Sequence, residues 1–224
     1  QTVTGVQTCA LPISGKSGGR LGYIAPGNAA GAHLAGALPH REAGARPVDA
    51  PGLDARAMFE QGLKGYVLLG VEPERDAWDP HRARQALGRA ELTVAVTAYA
   101  SPELEAHADV LLPMGLYPET SGTLVNAEGR WQASPGAVAP MGEARPAWKI
   151  LRVLGNGLDA PGFDYTSSEE VLAEARAACE EVVLDTLAAA DPGPAPGATP
   201  DRARDTLERI GEKPIYAVDA MVRR

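Results

Sequence analysis

Between Ala108 and Gln132 the chain reads ADVLLPMGLYPETSGTLVNAEGRWQ, and few folds need such a pairing of a buried-strand signal with a polar loop punctuated by glycine. Val110, Leu111 and Leu112 form a short apolar run closed by Pro113. Proline has no N–H to give a sheet ladder, so a strand is expected to end there and the chain to leave the sheet. Glu119, Thr120 and Ser121 lead through Gly122 into Thr123, Leu124 and Val125, a second short β segment. Asn126 to Gly129 is a turn in which Gly129 best accepts positive φ, and Arg130, Trp131 and Gln132 return antiparallel.

Around this segment the chain alternates. Leu21 to Ile24 reads as a strand, followed by a Pro26-Gly27-Asn28 turn and a helical piece from Ala29 to Ala35. Asp54 caps a helix through Leu63 with Met58 and Phe59 on its inner face, and Gly62 weakens its last turn. Gly65 to Gly70, GYVLLG, is a continuous apolar run between glycines, the pattern of a strand buried on both faces. Asp79 and Pro80 open a helix that carries Ala83, Ala86 and Leu87 inward. Leu92 to Thr97 is the next β-rich run, and Ser101-Pro102 opens another helix before Val110. Strand, helix, strand, helix, strand predicts an α/β fold with a parallel, Rossmann-like sheet.

Beyond Gln132 the pattern is helical. Pro146 starts a helix whose Trp148, Ile150, Leu151 and Leu154 share a face, with Gly155 and Gly157 ending it. Ser167 and Glu170 form a capping box, after which Val171, Leu172, Ala175, Cys179, Val182 and Val183 recur at helical spacing. Asp191 to Pro200 is a Pro/Gly linker. A short helix from Arg202 to Ile210 and a tail with Ile215, Tyr216, Val218, Met221 and Val222 exposed complete the chain, and that tail is expected to dock on the rest of a longer subunit or on a neighbour.

Composition narrows the function classes. The 224 residues carry 21 Lys plus Arg against 29 Asp plus Glu, a net charge of −8, which argues against nucleic acid, since phosphate binding needs a basic face. No apolar run approaches the roughly 20 residues that span a bilayer, so a soluble chain is expected. His33, His40, His81 and His107 are scattered, and Cys179 lies on an apolar stripe beside Glu180 and Glu181; neither pattern makes a metal site or a reactive thiol. Gly27 to Ala32, GNAAGA, lacks the spacing of a phosphate loop and reads as a structural turn, and Gly15 to Ser17, GKS, has no loop before it. Glu72, Asp76 and Asp79 read as a solvated acidic loop that would repel a pyrophosphate. Glu119, Asn126, Glu128 and Arg130 lack a nucleophile with a base beside it, so Asn126 and Glu128 are expected to brace the turn while Arg130 pairs with Glu119 or Glu128. Trp131 reads as a packing anchor. No catalytic, cofactor-binding or metal-ligating residue is assigned.

The Ala108–Gln132 segment resembles that of the molybdopterin oxidoreductase superfamily. Three flanking segments are similar to the largest peripheral-arm subunit of bacterial NADH-quinone oxidoreductase: GNAAGAHLAGALP from Gly27, GLDARAMFEQGLKGYVLLGVEP from Gly52, and GEKPIYAVDAMVRR at the end. Val3 to Ile13, VTGVQTCALPI, instead resembles the translation of a sequencing adapter. A secretory signal is the alternative, but it lacks a charged start and a long enough apolar core. The expected organisation is therefore a non-native segment at 1–17, a molybdopterin oxidoreductase-like α/β region at 18–145, a helical segment at 146–190, the linker at 191–200, and a terminal helix and truncated tail at 201–224. The resemblance implies a C-terminal part of that peripheral-arm subunit of respiratory complex I, acting as a non-catalytic platform whose inherited cofactor cleft holds no molybdenum. It also implies iron–sulfur clusters in an N-terminal part and no cofactor here. The implied partners are the other peripheral-arm subunits and the rest of its own subunit, at the cytoplasmic face of the inner membrane, with membrane contact only through the complex. The alternatives are the cofactor-binding part of an active molybdopterin enzyme of formate dehydrogenase-like type, and a free-standing nucleotide-binding module.

Overall fold

The computed structural model describes residues 28–77, 79–126 and 129–182. Helix α1 (Ala29–Ala35) is followed by a 3-10 turn at Ala43–Ala45 and by α2 (Ala55–Gln61), β1 (Gly65–Leu69), α3 (Pro73–Asp76), α4 (Pro80–Leu87), β2 (Leu92–Thr97), α5 (Pro102–His107) and β3 (Val110–Pro113). A second 3-10 turn at Tyr117–Glu119 precedes the hairpin β4 (Gly122–Val125) and β5 (Trp131–Ser134), then α6 (Ala147–Gly157) and α7 (Ser168–Ala178). The predicted Leu21–Ile24 strand, the adapter-like segment, the linker, the terminal helix and the tail lie outside the described residues.

The sheet is parallel, as the alternation predicts, in the order β1-β2-β3. Helix starts fall where side-chain oxygens can accept orphan N–H groups. Asp54 accepts from the Ala57 N–H at 2.7 Å, Asp79 from Arg82 at 3.0 Å, and Ser101 from Leu104 at 3.2 Å. One face of the sheet packs on α4 and α5, where Tyr66, Leu68, Ala86, Leu87, Ala95 and Leu104 form the core. Phe59 of α2 stacks on Tyr66 at 5.7 Å. The buried Tyr66 hydroxyl donates to the Met58 carbonyl and accepts from the Leu63 N–H, both at 2.9 Å, tying the end of α2 to β1.

Five expectations are corrected. Strand β1 is buried on one face only, because Tyr66 and Leu68 point into the core while Val67 and Leu69 do not. By register they share their face with Leu92 and Val110, and these four residues are 40–59% exposed. Strand β3 ends at Pro113, opposite Thr97, as expected, but it is an edge of the described sheet and largely exposed rather than buried. Met58 lies on the outer side of α2. Gly155 does not end α6: it is buried inside the helix, and a Cβ there would come within 2.3 Å of the Phe163 ring. The glycine gives Phe163 its seat. The capping box at the start of α7 forms by half. Ser167 accepts from the Glu170 N–H at 3.2 Å, while Glu170 reaches the Thr166 N–H and hydroxyl, each at 2.7 Å. These bonds, the Thr166 N–H first, hold the Glu170 carboxyl below its ordinary pKa. No helix among the described residues is long and apolar enough to cross a membrane.

Candidate functional site

Open parallel sheets bind ligands beyond the carboxyl ends of their strands, and here that rim is closed by the chain itself. Strand β1 leaves at Gly70, whose positive φ of 63° turns the backbone, and its N–H donates to the Val96 carbonyl at 2.8 Å. The absent Cβ leaves room for the Met114 methyl group. Glu72 follows and is 3% exposed, so the solvated acidic loop expected from sequence is not what forms. A buried carboxylate needs a counter-charge, and the Arg75 guanidinium lies 3.3 Å from it, one turn on in α3. Asp76 accepts the Glu72 N–H at 2.7 Å. Asp79 caps α4, and its carboxyl is held below the ordinary 3.8 chiefly by the Arg82 backbone N–H. These carboxylates organise the turn that brings α3 and α4 onto the sheet.

The other two strand exits are bonded in the same way. The Thr97 hydroxyl accepts the Tyr99 N–H at 3.1 Å and donates to its carbonyl at 2.8 Å. Met114 donates to the Thr97 carbonyl at 3.0 Å and Gly115 to that of Arg145 at 2.9 Å. Glu119 accepts the Leu116 N–H at 2.8 Å, bracing the 3-10 turn. A phosphate-bearing pterin cofactor would need free N–H donors or cations there. The N–H groups of Gly70, Glu72, Met114 and Gly115 already have carbonyl or carboxylate partners, and Arg75 faces Glu72. These four donors and the Arg75 cation are therefore engaged within the chain.

The hairpin is built as its sequence suggests. Gly129 has φ 75°. Asn126 Oδ1 accepts the Arg130 N–H at 2.9 Å, its carbonyl accepts from Gly129 at 2.9 Å, and its own N–H donates to the Arg130 carbonyl at 3.1 Å. Glu128 lies outside the described residues. Trp131 is half-buried with the Arg176 guanidinium 5.8 Å from its ring centre.

One residue in this region has a role that local sequence conceals. Asn28 leaves the start of α1 uncapped by its side chain and bonds the hairpin instead, accepting the Val125 N–H at 2.8 Å and donating to the Thr123 carbonyl at 3.4 Å. A Cβ on Gly31 would lie within 2.3–2.6 Å of that carboxamide. The glycine in GNAAGA therefore makes room for an asparagine clasp. Elsewhere, Cys179 is half-buried with Sγ 3.5 Å from the Leu34 carbonyl. The rings of His33 and His40 meet edge to face at 6.1 Å, His81 bonds Gln85 at 2.9 Å, and His107 lies 3.8 Å from Glu103.

The profile of the molybdopterin oxidoreductase family matches residues 19–156, well over half of the chain. The chain belongs to that family. It is 33% identical over 126 residues to a nitrate reductase of Synechocystis, covering 54% of this chain and 18% of the relative. Over a shorter stretch of 53 residues it is 55% identical to the 78 kDa subunit of mitochondrial NADH-ubiquinone oxidoreductase of Candida albicans, covering 24% of this chain and 7% of that subunit. Among solved structures it is similar to acetylene hydratase from Pelobacter acetylenicus, with a TM-score of 0.46 and 20% identity over 60% of this chain and 20% of that one. The chain thus spans a fifth or less of the length of each of these proteins.

Proposed function

We propose that this molybdopterin oxidoreductase-family chain is a stretch of the largest peripheral-arm subunit of a bacterial NADH-quinone oxidoreductase, where it acts as a structural platform without chemistry of its own. The observation that carries this reading is the sheet rim, where the N–H groups of Gly70, Glu72, Met114 and Gly115 are taken by protein groups beside the buried Glu72–Arg75 pair. The 55% identity to the mitochondrial 78 kDa subunit supports it. In this reading the cofactor cleft is inherited but unused, and the iron–sulfur clusters belong to an N-terminal part. The partners are the rest of the subunit and its peripheral-arm neighbours at the cytoplasmic face of the membrane, and the whole complex passes electrons from NADH to quinone and translocates protons.

A second reading, part of an active molybdopterin-dependent reductase, is favoured by the longer match to a nitrate reductase. Affinity purification of the full-length protein that contains this stretch, from its own cells, separates the two. The first reading expects co-purifying NADH:quinone activity and molybdenum far below one atom per chain. Stoichiometric molybdenum with reduction of an oxyanion such as nitrate would overturn it.

A further inference from the structure

The hairpin and helices α6 and α7 leave a space that the described side chains do not fill. The register of β4 and β5 puts Thr123, Ala133, Val125 and Trp131 on one face. Opposite this face runs the inward stripe of α7, Ser168, Val171, Leu172 and Ala175, at the i, i+3, i+4, i+7 spacing of a helix side. Between them, closed at one side by Trp148 of α6, is a half-open cavity of about 460 Å³. The space is a groove open to solvent on one side, into which a small molecule could enter. Its volume falls in the range of about 300–1,000 Å³ typical of small-molecule sites.

The space exists because small residues stand where large ones would fill it: Ala35, Gly122, Ala133 and Ala175 all line it. What remains is lined by the Trp131 and Trp148 side chains and has a compact polar end. The Ser121 and Ser168 hydroxyls lie 2.7 Å apart, and Ser168 donates to the Glu169 carboxylate at 3.2 Å. Among the described residues Glu169 lines the cavity and no Lys or Arg does, although Lys149 Nζ lies 5.4 Å from the Trp148 ring centre and the Arg176 guanidinium 5.8 Å from that of Trp131, so one face of each indole already meets a cation. Tryptophan faces favour flat π-systems over saturated rings of equal size.

We propose that this cavity binds a small, uncharged, flat aromatic molecule of one or two rings, seated between Trp131 and Trp148, with a hydrogen-bond donor directed at the Ser121, Ser168 and Glu169 end. The site is separate from the sheet rim and does not depend on which oxidoreductase contains the chain. Indole is the probe: two flat rings and one N–H. Benzothiophene has the same shape without the donor, and cyclohexanol is neither flat nor aromatic.

Titration of the full-length protein that contains this stretch, by calorimetry and ligand-observed NMR, is expected to show a saturable indole site with half-saturation at or below about 1 mM, and at least about tenfold weaker cyclohexanol binding. Ala175→Phe, which fills the cavity from α7, should abolish saturation, and Ala133→Leu fills it from the opposite wall should the first variant not fold. Ser168→Ala should weaken indole about three- to tenfold, the range of one lost hydrogen bond, and leave benzothiophene within about twofold. Absence of saturation in the wild-type chain, or indole binding retained in either folded cavity-filling variant, overturns the proposal. Equal loss of indole and benzothiophene in Ser168→Ala overturns the polar-end assignment.

Discussion

The parallel sheet and the hairpin with its two helices use similar apolar patterns to opposite ends. In the sheet region Leu104 is 1% exposed, and Tyr66, Leu68, Ala86, Leu87 and Ala95 close around it. In the hairpin region, among the described residues, only Val125 of the large apolar side chains is as well buried. Trp131, Trp148, Leu151, Leu154, Val171 and Leu172 are less deeply buried, and four of them line an open cavity. A helical stripe says which face seeks burial. Whether the face obtains it depends on the size of what stands opposite, and Ala133 and Ala175 are small.

The sharpest way to break this comparison is truncation on each side. Leu104→Ala should cost about 2–5 kcal/mol, because the surrounding core cannot collapse into the void. Leu172→Ala, at a wall already facing open space, should cost less than about 1.5 kcal/mol. Denaturant unfolding of both variants measures the contrast. Equal costs would show that the hairpin region is packed as tightly as the sheet.

The next effect lies at a turn. Gly129 holds a φ of 75°, which a β-branched residue resists, so Gly129→Val should destabilise by about 1–3 kcal/mol. Gly122 lies in the same hairpin with open space around its missing Cβ and no positive φ, so Gly122→Ala should change stability by less than about 0.5 kcal/mol. A comparable loss at both glycines would assign the damage to the hairpin as a whole and remove the special role of the turn.

How much of this is legible in the sequence differs between features for one physical reason. Caps are local: Asp54, Asp79, Ser101 and Ser167 each accept an N–H three residues on, and each is readable from its own neighbourhood. So are the parallel order of the strands and the hairpin turn. Coverage is not local. The run GYVLLG predicts two buried faces, yet Val67 is 59% exposed, since a strand cannot record what lies across its sheet. Glu72 reads as solvated because three nearby carboxylates suggest repulsion, and the pattern does not show that Arg75 folds back within one turn to face it. The Asn28 clasp spans 97 residues. Only the glycine at the third position after Asn28 hints at a carboxamide needing room.

That clasp joins α1 to the hairpin and gives the third test. Asn28→Ala should cost about 1–2 kcal/mol, since the Val125 N–H is left without its acceptor in a half-buried setting. Gly31→Ala should act through the same loss, by pushing the carboxamide aside. A double-mutant cycle on full-length protein measures the coupling: the pair should cost clearly less than the sum of the two. Additive costs would show that Gly31 serves α1 in some other way and that the clasp does not depend on it.

The smallest effects separate the regions by pH, and they run in opposite directions. Asp79, in the sheet region, has its carboxyl lowered below the ordinary 3.8, first by the Arg82 backbone N–H. A depressed folded-state pKa contributes stability that is complete above the unfolded value and lost as pH falls through the folded one. Tyr165, after α6, donates its hydroxyl to Glu174 at 2.7 Å, and this bond, ahead of burial, raises its pKa above the ordinary 10.0. That contribution is complete below the unfolded value and lost as pH rises through the folded one. The thermal midpoint difference between wild type and Asp79→Ala should therefore be constant from neutral pH down to about pH 5 and shrink below about pH 4. The difference for Tyr165→Phe should be flat through that range and shrink only above about pH 10. Both groups are half-buried and still reached by solvent, which screens them, so both differences should be small. An acid-side dependence for Tyr165→Phe would mean that the raised phenol does not set the pH response of this bond, and the contrast between the two regions would be lost.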